Sequence, residues 1–292
     1  MKLNKVLFGL TVVAAALFSS CNKDNEGAIY SNQGNAGLSF TASTLAAVEV
    51  PASNPVFDVE IVRGNTVGAA TGNLTATLKA GDEVIPGATV SAFNFADGQN
   101  STTVSVNIAP LAVGVAGTIT LTIDDADASI GGVKSATMKV SKAYEWTKLG
   151  VGQYIDNWLG YSSEVEIYKA EGFDRYRVIA PYAEYVTSEQ AVADWGADWL
   201  DPTKTVAQLD VWIEDGLAFY EDYPIGINYE ADKAQPIYVC HPSGWSSMQD
   251  PSFWAHNMMG DGYIQIAPYY YIDGLGGWNY TQKDGVIYIV LP

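Results

Sequence analysis

Between residues 56 and 124, apolar and polar side chains alternate in runs too short for helices, and this alternation restricts the fold more than any other feature of the chain. The segments "VFDVEIVRG", "NLTATLKAG", "TTVSVNIAP" and "GTITLTID" each repeat at period two, and turn formers such as "GN", "AGD" and "ADGQN" punctuate them. A period of two sends successive side chains to opposite faces of an extended strand, and Gly, Asn and Asp supply the reversals between strands. Helical periodicity is absent here. The pattern predicts an antiparallel β-sandwich of the immunoglobulin-like sort over residues 36–142.

The composition changes abruptly near residue 143. All eight tryptophans and seventeen of the eighteen tyrosines follow it, and Tyr30 alone precedes it. Residues 21–143 carry 6 basic and 11 acidic side chains, net −5, whereas residues 144–292 carry 7 and 22, net −15. Two domains follow, 36–142 and 144–292, each long enough for its own core. In the second, "EVEIYKA", "RYRVIAPY", "QLDVWIED", "QPIYVCHP", "GYIQIAPYYYI" and "GVIYIVLP" read as strands by alternation and by their Val, Ile and Tyr content. One helix interrupts them in "TSEQAVADWGADWL": Thr187 and Gln190 stand at capping-box spacing, and Val192, Trp195 and Trp199 share a face. The expected fold is mostly β: an N-terminal immunoglobulin-like sandwich and a C-terminal antiparallel β domain with one short helix.

The first twenty residues have a different purpose. Lys2 and Lys5 precede an apolar run from Val6 to Phe18, followed by Ser19 and Ser20. That run is shorter than the roughly 20 residues needed to cross a bilayer core, so residues 1–20 read as a secretory signal peptide. Residues 21–35 read as a flexible tether. Losing Lys2 and Lys5 takes the formal charge from −18 to −20, and a chain this acidic repels phosphate backbones, which argues against nucleic acid as a partner. The chain has only two cysteines, Cys21 and Cys240. Cys240, within the apolar run "PIYVC", reads as a small buried hydrophobe.

Four resemblances add to this reading. "LFSSC" resembles the lipobox of bacterial lipoproteins, which implies that Cys21 becomes the first mature residue and carries the lipid anchor, and "NKDNEG" resembles the acidic export signal of Bacteroidetes surface lipoproteins. Outer-membrane, cell-surface localisation is what these imply. The segments "VEIVRG", "FNFADGQNSTTVSVNI" and "GTITLTIDDADASIGGVKSATMKVS" resemble a Calx-beta sandwich. In calcium-binding members acidic pairs at strand ends hold the ions, and the corresponding candidates are Glu49, Asp124, Asp125 and Asp127; the terminal acidic pair is missing after "MKVSKAY", and "DDAD" reads as a solvated turn, so no cofactor is expected. Finally, Trp146, the "GQYID" segment and the strand ending in "APY" resemble the C-terminal module of Bacteroidetes lipoproteins that carry a sandwich in front.

The chemistry of the second domain rests on its aromatic rings. Trp and Tyr faces stack on the C–H faces of sugars, and loops carry recognition more often than strands do. Trp245, Trp254 and Trp278 lie in segments dense in Gly, Pro, Asn and Asp, and Asn257, Asp261 and Asn279 beside them are candidates for binding hydroxyls. No H-E-x-x-H, G-x-S-x-G, phosphate loop or paired-cysteine spacing appears, and neither catalytic nor metal-ligating residues are assigned. The expected function is non-catalytic glycan binding by a surface lipoprotein associated with polysaccharide uptake. A secreted glycoside hydrolase, or a structural or adhesive surface protein with protein partners and no small ligand, are the alternatives.

Overall fold

The computed structural model of the chain describes residues 36–230, 235–279 and 285–292. Cys21, the signal peptide and the tether lie outside the described residues. The chain divides into two compact units, one ending at Lys142 and the other spanning Ala143–Pro292 together with the short stretch Pro51–Ser53. The described residues are mostly β, with one short α-helix.

The N-terminal unit contains β1 (Leu38–Phe40), β2 (Val48–Pro51), β3 (Val56–Arg63), β4 (Ala70–Gly72), β5 (Leu74–Ala80), β6 (Glu83–Ile85), β7 (Thr89–Val90), β8 (Phe93–Phe95), β9 (Ser101–Asn107), β10 (Ala116–Ile123) and β11 (Ser135–Ala143). They form a sandwich of two sheets, in the orders β1-β3-β9-β7 and β2-β11-β10-β5-β6, with a separate β4-β8 pair. The alternation explains the faces. In β3, Val59 and Ile61 are buried while Asp58 and Glu60 are exposed, and in β10 Ile119, Leu121 and Ile123 point inward. These side chains meet Val104, Val106, Met138 and Val140 in one apolar cluster. Arg63 ends β3 almost fully buried. Its charge is compensated by backbone carbonyls, with Nε donating to Gln99 O at 2.6 Å and Nη2 to Ala96 O at 2.7 Å, and by the Phe95 ring 4.9 Å away.

The acidic residues named for calcium are dispersed among local tasks. Asp124 Oδ1 accepts from Ala126 N at 2.9 Å, Asp125 pairs with Lys134, and Glu49 accepts from Ser141 Oγ at 3.2 Å. Among the described residues no group of three or more metal-ligating side chains converges.

The C-terminal unit contains β12 (Trp146–Asp156), β13 (Tyr161–Ala170), β14 (Arg175–Ile179), α1 (Glu189–Trp195), β15 (Leu200–Thr205), β16 (Gln208–Glu214), β17 (Leu217–Tyr220), β18 (Tyr223–Asn228), β19 (Pro236–Cys240), β20 (Met258–Met259), β21 (Tyr263–Ile266), β22 (Tyr269–Ile272), β23 (Gly276–Asn279) and β24 (Ile287–Val290). Eight of them close a barrel in the order β12-β13-β14-β16-β17-β20-β21-β24, the last strand pairing back onto the first. The other five form a sheet in the order β15-β18-β19-β22-β23. Barrel and sheet share one apolar core, in which Val165, Ile167, Ile264 and Ile289 meet Ile225, Ile237 and Tyr270.

Two details depart from the sequence-based expectation. "GYIQIAPYYYI" is two strands, β21 in the barrel and β22 in the sheet, separated by Ala267 and Pro268; proline donates no ladder hydrogen bond, and the chain changes sheets there. The helix also starts one residue later than capping-box spacing implied. Ser188 Oγ caps α1 by accepting from Ala191 N at 3.0 Å, whereas Thr187 Oγ1 donates back to Ala183 O and Glu184 O. Gly196, at φ 91°, then stops the helix before Trp199.

Barrel closure depends on one close approach. A Cβ built on Gly152 in β12 would lie 2.2 Å from Val290 O and 2.5 Å from Ile167 Cδ1. Backbone carbonyl cannot yield as a flexible side chain would. Gly152→Ala is therefore expected to destabilise the unit by about 1–3 kcal/mol, read as a lower thermal midpoint, while a surface change such as Gly172→Ala, with open space at its Cβ but φ +78°, costs only local strain of about 1 kcal/mol.

Candidate functional site

The loop between β12 and β13, "NWLG", is built by the residue before it. Asp156 Oδ1 accepts from Leu159 N at 3.0 Å, three residues on, and closes a tight reversal. Gly160, at φ 60°, turns the chain into β13. Leu159 is buried and holds the loop to the core, which leaves Trp158 half-exposed at its crest.

Asp156 itself has no solvent exposure. Its Oδ2 accepts from Tyr182 Oη at 2.7 Å; the Tyr182 hydroxyl in turn accepts from Tyr154 Oη at 2.9 Å, and Tyr223 Oη lies 3.1 Å from Tyr154 Oη. Because Tyr154 donates to Tyr182, its contact with Tyr223 is completed by the Tyr223 hydroxyl donating. Three phenols thus donate in series toward one acceptor-only carboxylate. Burial lifts the Asp156 carboxyl to about 6, against the opposing pull of the hydrogen bonds from Tyr182, from the backbone of Leu159 and Trp158, and from Tyr270. Desolvation also pushes the Tyr154 and Tyr182 phenols well up, so they remain protonated donors.

Above this base lies an open cleft of about 440 Å³, lined by the loop residues Asn157 to Gly160 together with Tyr185, Gln190, Asp194 and Trp195. Gln190 and Asp194 stand one turn apart on α1, so both project from one face, and both are exposed. Trp195 Nε1 donates to Tyr185 Oη at 3.1 Å, and Tyr185 Oη reaches Asp194 Oδ2 at 3.4 Å. The rings form a continuous series. Trp158 lies 5.7 Å from Trp195 and 5.5 Å from Trp278, centroid to centroid, at 69° and 66°, and Trp195 lies 6.3 Å from Trp199 at 40°. Trp158, Trp195, Trp199 and Trp278 are all half-exposed. Of these, Trp158 and Trp195 line the cleft, and the four rings are inclined to one another rather than forming a flat platform.

The sequence-selected residues do not converge. Trp278 joins the cleft aromatics, stacked on Tyr270 at 5.6 Å and 22°. Trp245 belongs to the opposite face of the five-stranded sheet, packed on Tyr271 at 4.4 Å and Tyr269 at 5.1 Å; Tyr269 and Tyr271 alternate with the inward Tyr270 and Ile272. Trp254 packs elsewhere, near Phe219 and His241. Asn257 corrects the expectation of a hydroxyl-binding amide. It has no exposure: Nδ2 donates to Trp254 O and Ala267 O, and Oδ1 accepts from Ala267 N at 2.8 Å and from Tyr220 Oη at 3.3 Å. Its amide holds a loop and has no capacity left for a ligand. Asp261 is exposed in the turn between β20 and β21. The side chain of Asn279 lies outside the described residues.

Sequence reasoning missed Trp158, Asn157 and Asp194. The available signal was "IDNWLG", where a large ring interrupts a turn-forming stretch between two strands. Cys240 is buried, as its apolar surroundings imply, and burial raises its thiol far above the usual range. The neighbouring His241 is neutral: burial lowers it to about 4, Nε2 contacts Ala218 O at 3.1 Å and Nδ1 contacts Ser243 Oγ at 2.7 Å.

Compared with known proteins, the chain matches no protein-family model, and no curated protein matches it significantly.

Asp156 and His241 pull stability in opposite directions on acidification. Between about 6 and 4 the folded chain holds a proton on Asp156 that the unfolded chain has released, so this group favours folding as pH falls through that window. Between 6.5 and about 4 an unfolded His241 binds a proton that the folded ring refuses, so this group opposes folding as pH falls. Asp156→Asn should therefore steepen the loss of stability between pH 7 and 4, by on the order of 3 kcal/mol across the window, and His241→Gln should flatten it. Chemical denaturation at a series of pH values measures both slopes.

Proposed function

We propose that this chain is a lipid-anchored protein of a Bacteroidetes-type cell surface, and that its C-terminal unit binds glycan without catalysis in the Trp158–Trp195 cleft. The observation that carries the reading is the cleft's lining: half-exposed indole rings beside the exposed amide of Gln190 and the exposed carboxylate of Asp194. Indole faces attract the C–H faces of a sugar ring, and the amide and carboxylate take its hydroxyls. The Calx-beta-like sandwich of the N-terminal unit lies between Cys21 and this unit along the chain.

Binding is favoured over hydrolysis by the disposition of the carboxylates. Glycoside hydrolysis needs two carboxyl groups facing the scissile bond. Asp194 lines the cleft, whereas Asp156, whose raised pKa would suit a general acid, is enclosed beneath the loop with no surface open to a substrate. The anchor rests on Cys21, placed directly after the apolar run and its small residues. One lipidated cysteine carrying several acyl chains supplies the multiple-chain hold that stable anchoring requires.

Two measurements test these claims. On a glycan array the mature protein should bind at least one polysaccharide, and Trp195→Ala should weaken that binding by about 1–2 kcal/mol without shifting the thermal midpoint enough to unfold the unit; silence across the array removes the glycan reading. For the anchor, metabolic labelling with a radioactive fatty acid should mark the wild type and leave Cys21→Ala unlabelled. Label retained in the variant would show that Cys21 is not the anchor.

A further inference from the structure

The rings of the cleft are inclined to one another, and that inclination bears on what kind of glycan fits. A crystalline polysaccharide presents a flat face, and only coplanar rings can meet it together. Here the two ring pairs at the crest are set at 69° and 66°, and the next pair, Trp195 with Trp199, at 40°. No single plane touches Trp158, Trp195 and Trp278 at once. A single dissolved chain can turn from residue to residue, so each sugar can present its face to a differently oriented ring.

Charge restricts the class further. Among the described residues no Lys or Arg lines the cleft, Asp194 stands in it, and Glu189 opens the same helix. The whole segment 144–292 carries a formal net charge of −15. A uronate or sulfated chain would bring anions into this field with no cation among the described lining residues to receive them. The polar groups that are present suit uncharged hydroxyls. Tyr185 approaches Asp194 Oδ2 only at 3.4 Å, which leaves that carboxylate with acceptor capacity for the adjacent hydroxyls of one sugar, and Gln190 offers both a donor and an acceptor one turn away.

From these observations we infer that the Trp158–Trp195 cleft takes single, soluble chains of neutral polysaccharide and excludes both polyanionic glycans and crystalline faces. The inference rests on the glycan-binding reading above and specifies its ligand. With no cation among the described lining residues, binding is expected to be nearly independent of salt.

The test uses the full mature protein in native affinity gels containing barley β-glucan, glucomannan, xylan, polygalacturonate or alginate, alongside sedimentation with microcrystalline cellulose and chitin. Retardation by at least one neutral soluble polymer is expected, unchanged between 50 mM and 500 mM NaCl, with none by polygalacturonate or alginate and no sedimentation. Gln190→Ala, on the exposed face of α1, should weaken retardation severalfold with an unaltered unfolding midpoint, and Trp195→Ala should weaken it about tenfold or more. Retardation by polygalacturonate or alginate, or co-sedimentation with the crystalline polymers, would overturn the neutral, single-chain assignment while leaving glycan binding intact. Neutral binding that survives both substitutions would overturn the assignment to this cleft. Failure to bind any of the seven polymers would overturn the inference and, together with a silent array, the glycan reading as well.

Discussion

A carboxylate sealed inside a β-barrel organises the C-terminal half of this chain. Asp156 gives up all contact with water, and burying such a charge is affordable only when its lone pairs are filled. Tyr182 and the amide of Leu159 fill them, and Tyr154 and Tyr223 extend the network across the interior. The same carboxylate shapes the loop that follows it. One side chain therefore links the packing inside the barrel to the surface feature above it, and whatever disturbs its hydrogen bonds reaches Trp158 through a two-residue lever.

This linkage explains why aromatic residues dominate the C-terminal half. Tyrosine fills volume like a hydrophobe and still delivers a hydroxyl to a buried acceptor. Tyr154, Tyr182, Tyr223 and Tyr270 do this inside, whereas Trp158, Trp195 and Trp278 occupy the boundary between core and solvent. Rings at that boundary are packed on one side by the core and open on the other, so the cleft is held by the same contacts that stabilise the unit. The N-terminal half follows simpler rules. Its polar alternation builds a two-sheet core of Val, Ile, Leu and Phe, and its buried cations Arg63 and Lys142 are satisfied by backbone carbonyls.

The candidate site was only partly legible beforehand. Glycine- and proline-rich surroundings marked Trp245, Trp254 and Trp278 as loop rings, but Trp278 belongs to β23 and the three rings are dispersed over different surfaces. Asn257 looked like a solvated turn residue because asparagine is common in turns. Its four hydrogen bonds come from strands and loops that only the folded chain brings around it. Trp195 was visible as part of an apolar helix face, yet what that face meets, the β12–β13 loop, is remote from it along the chain.

From the sequence alone came a part of the strands, the direction each side chain takes within them, the short helix and the change of character near residue 143. These are local properties: period two, turn formers and residue composition act within a few positions of themselves. The tertiary structure alone decided that β24 returns to β12 and closes a barrel, that Asp156 falls inside it, and that Trp158 packs against both Trp195 and Trp278. Those outcomes depend on pairings such as Asp156 with Ile287, between residues far apart in the chain. Alternation states that a strand has an inner face, but only the identity of its neighbours determines what that face encloses.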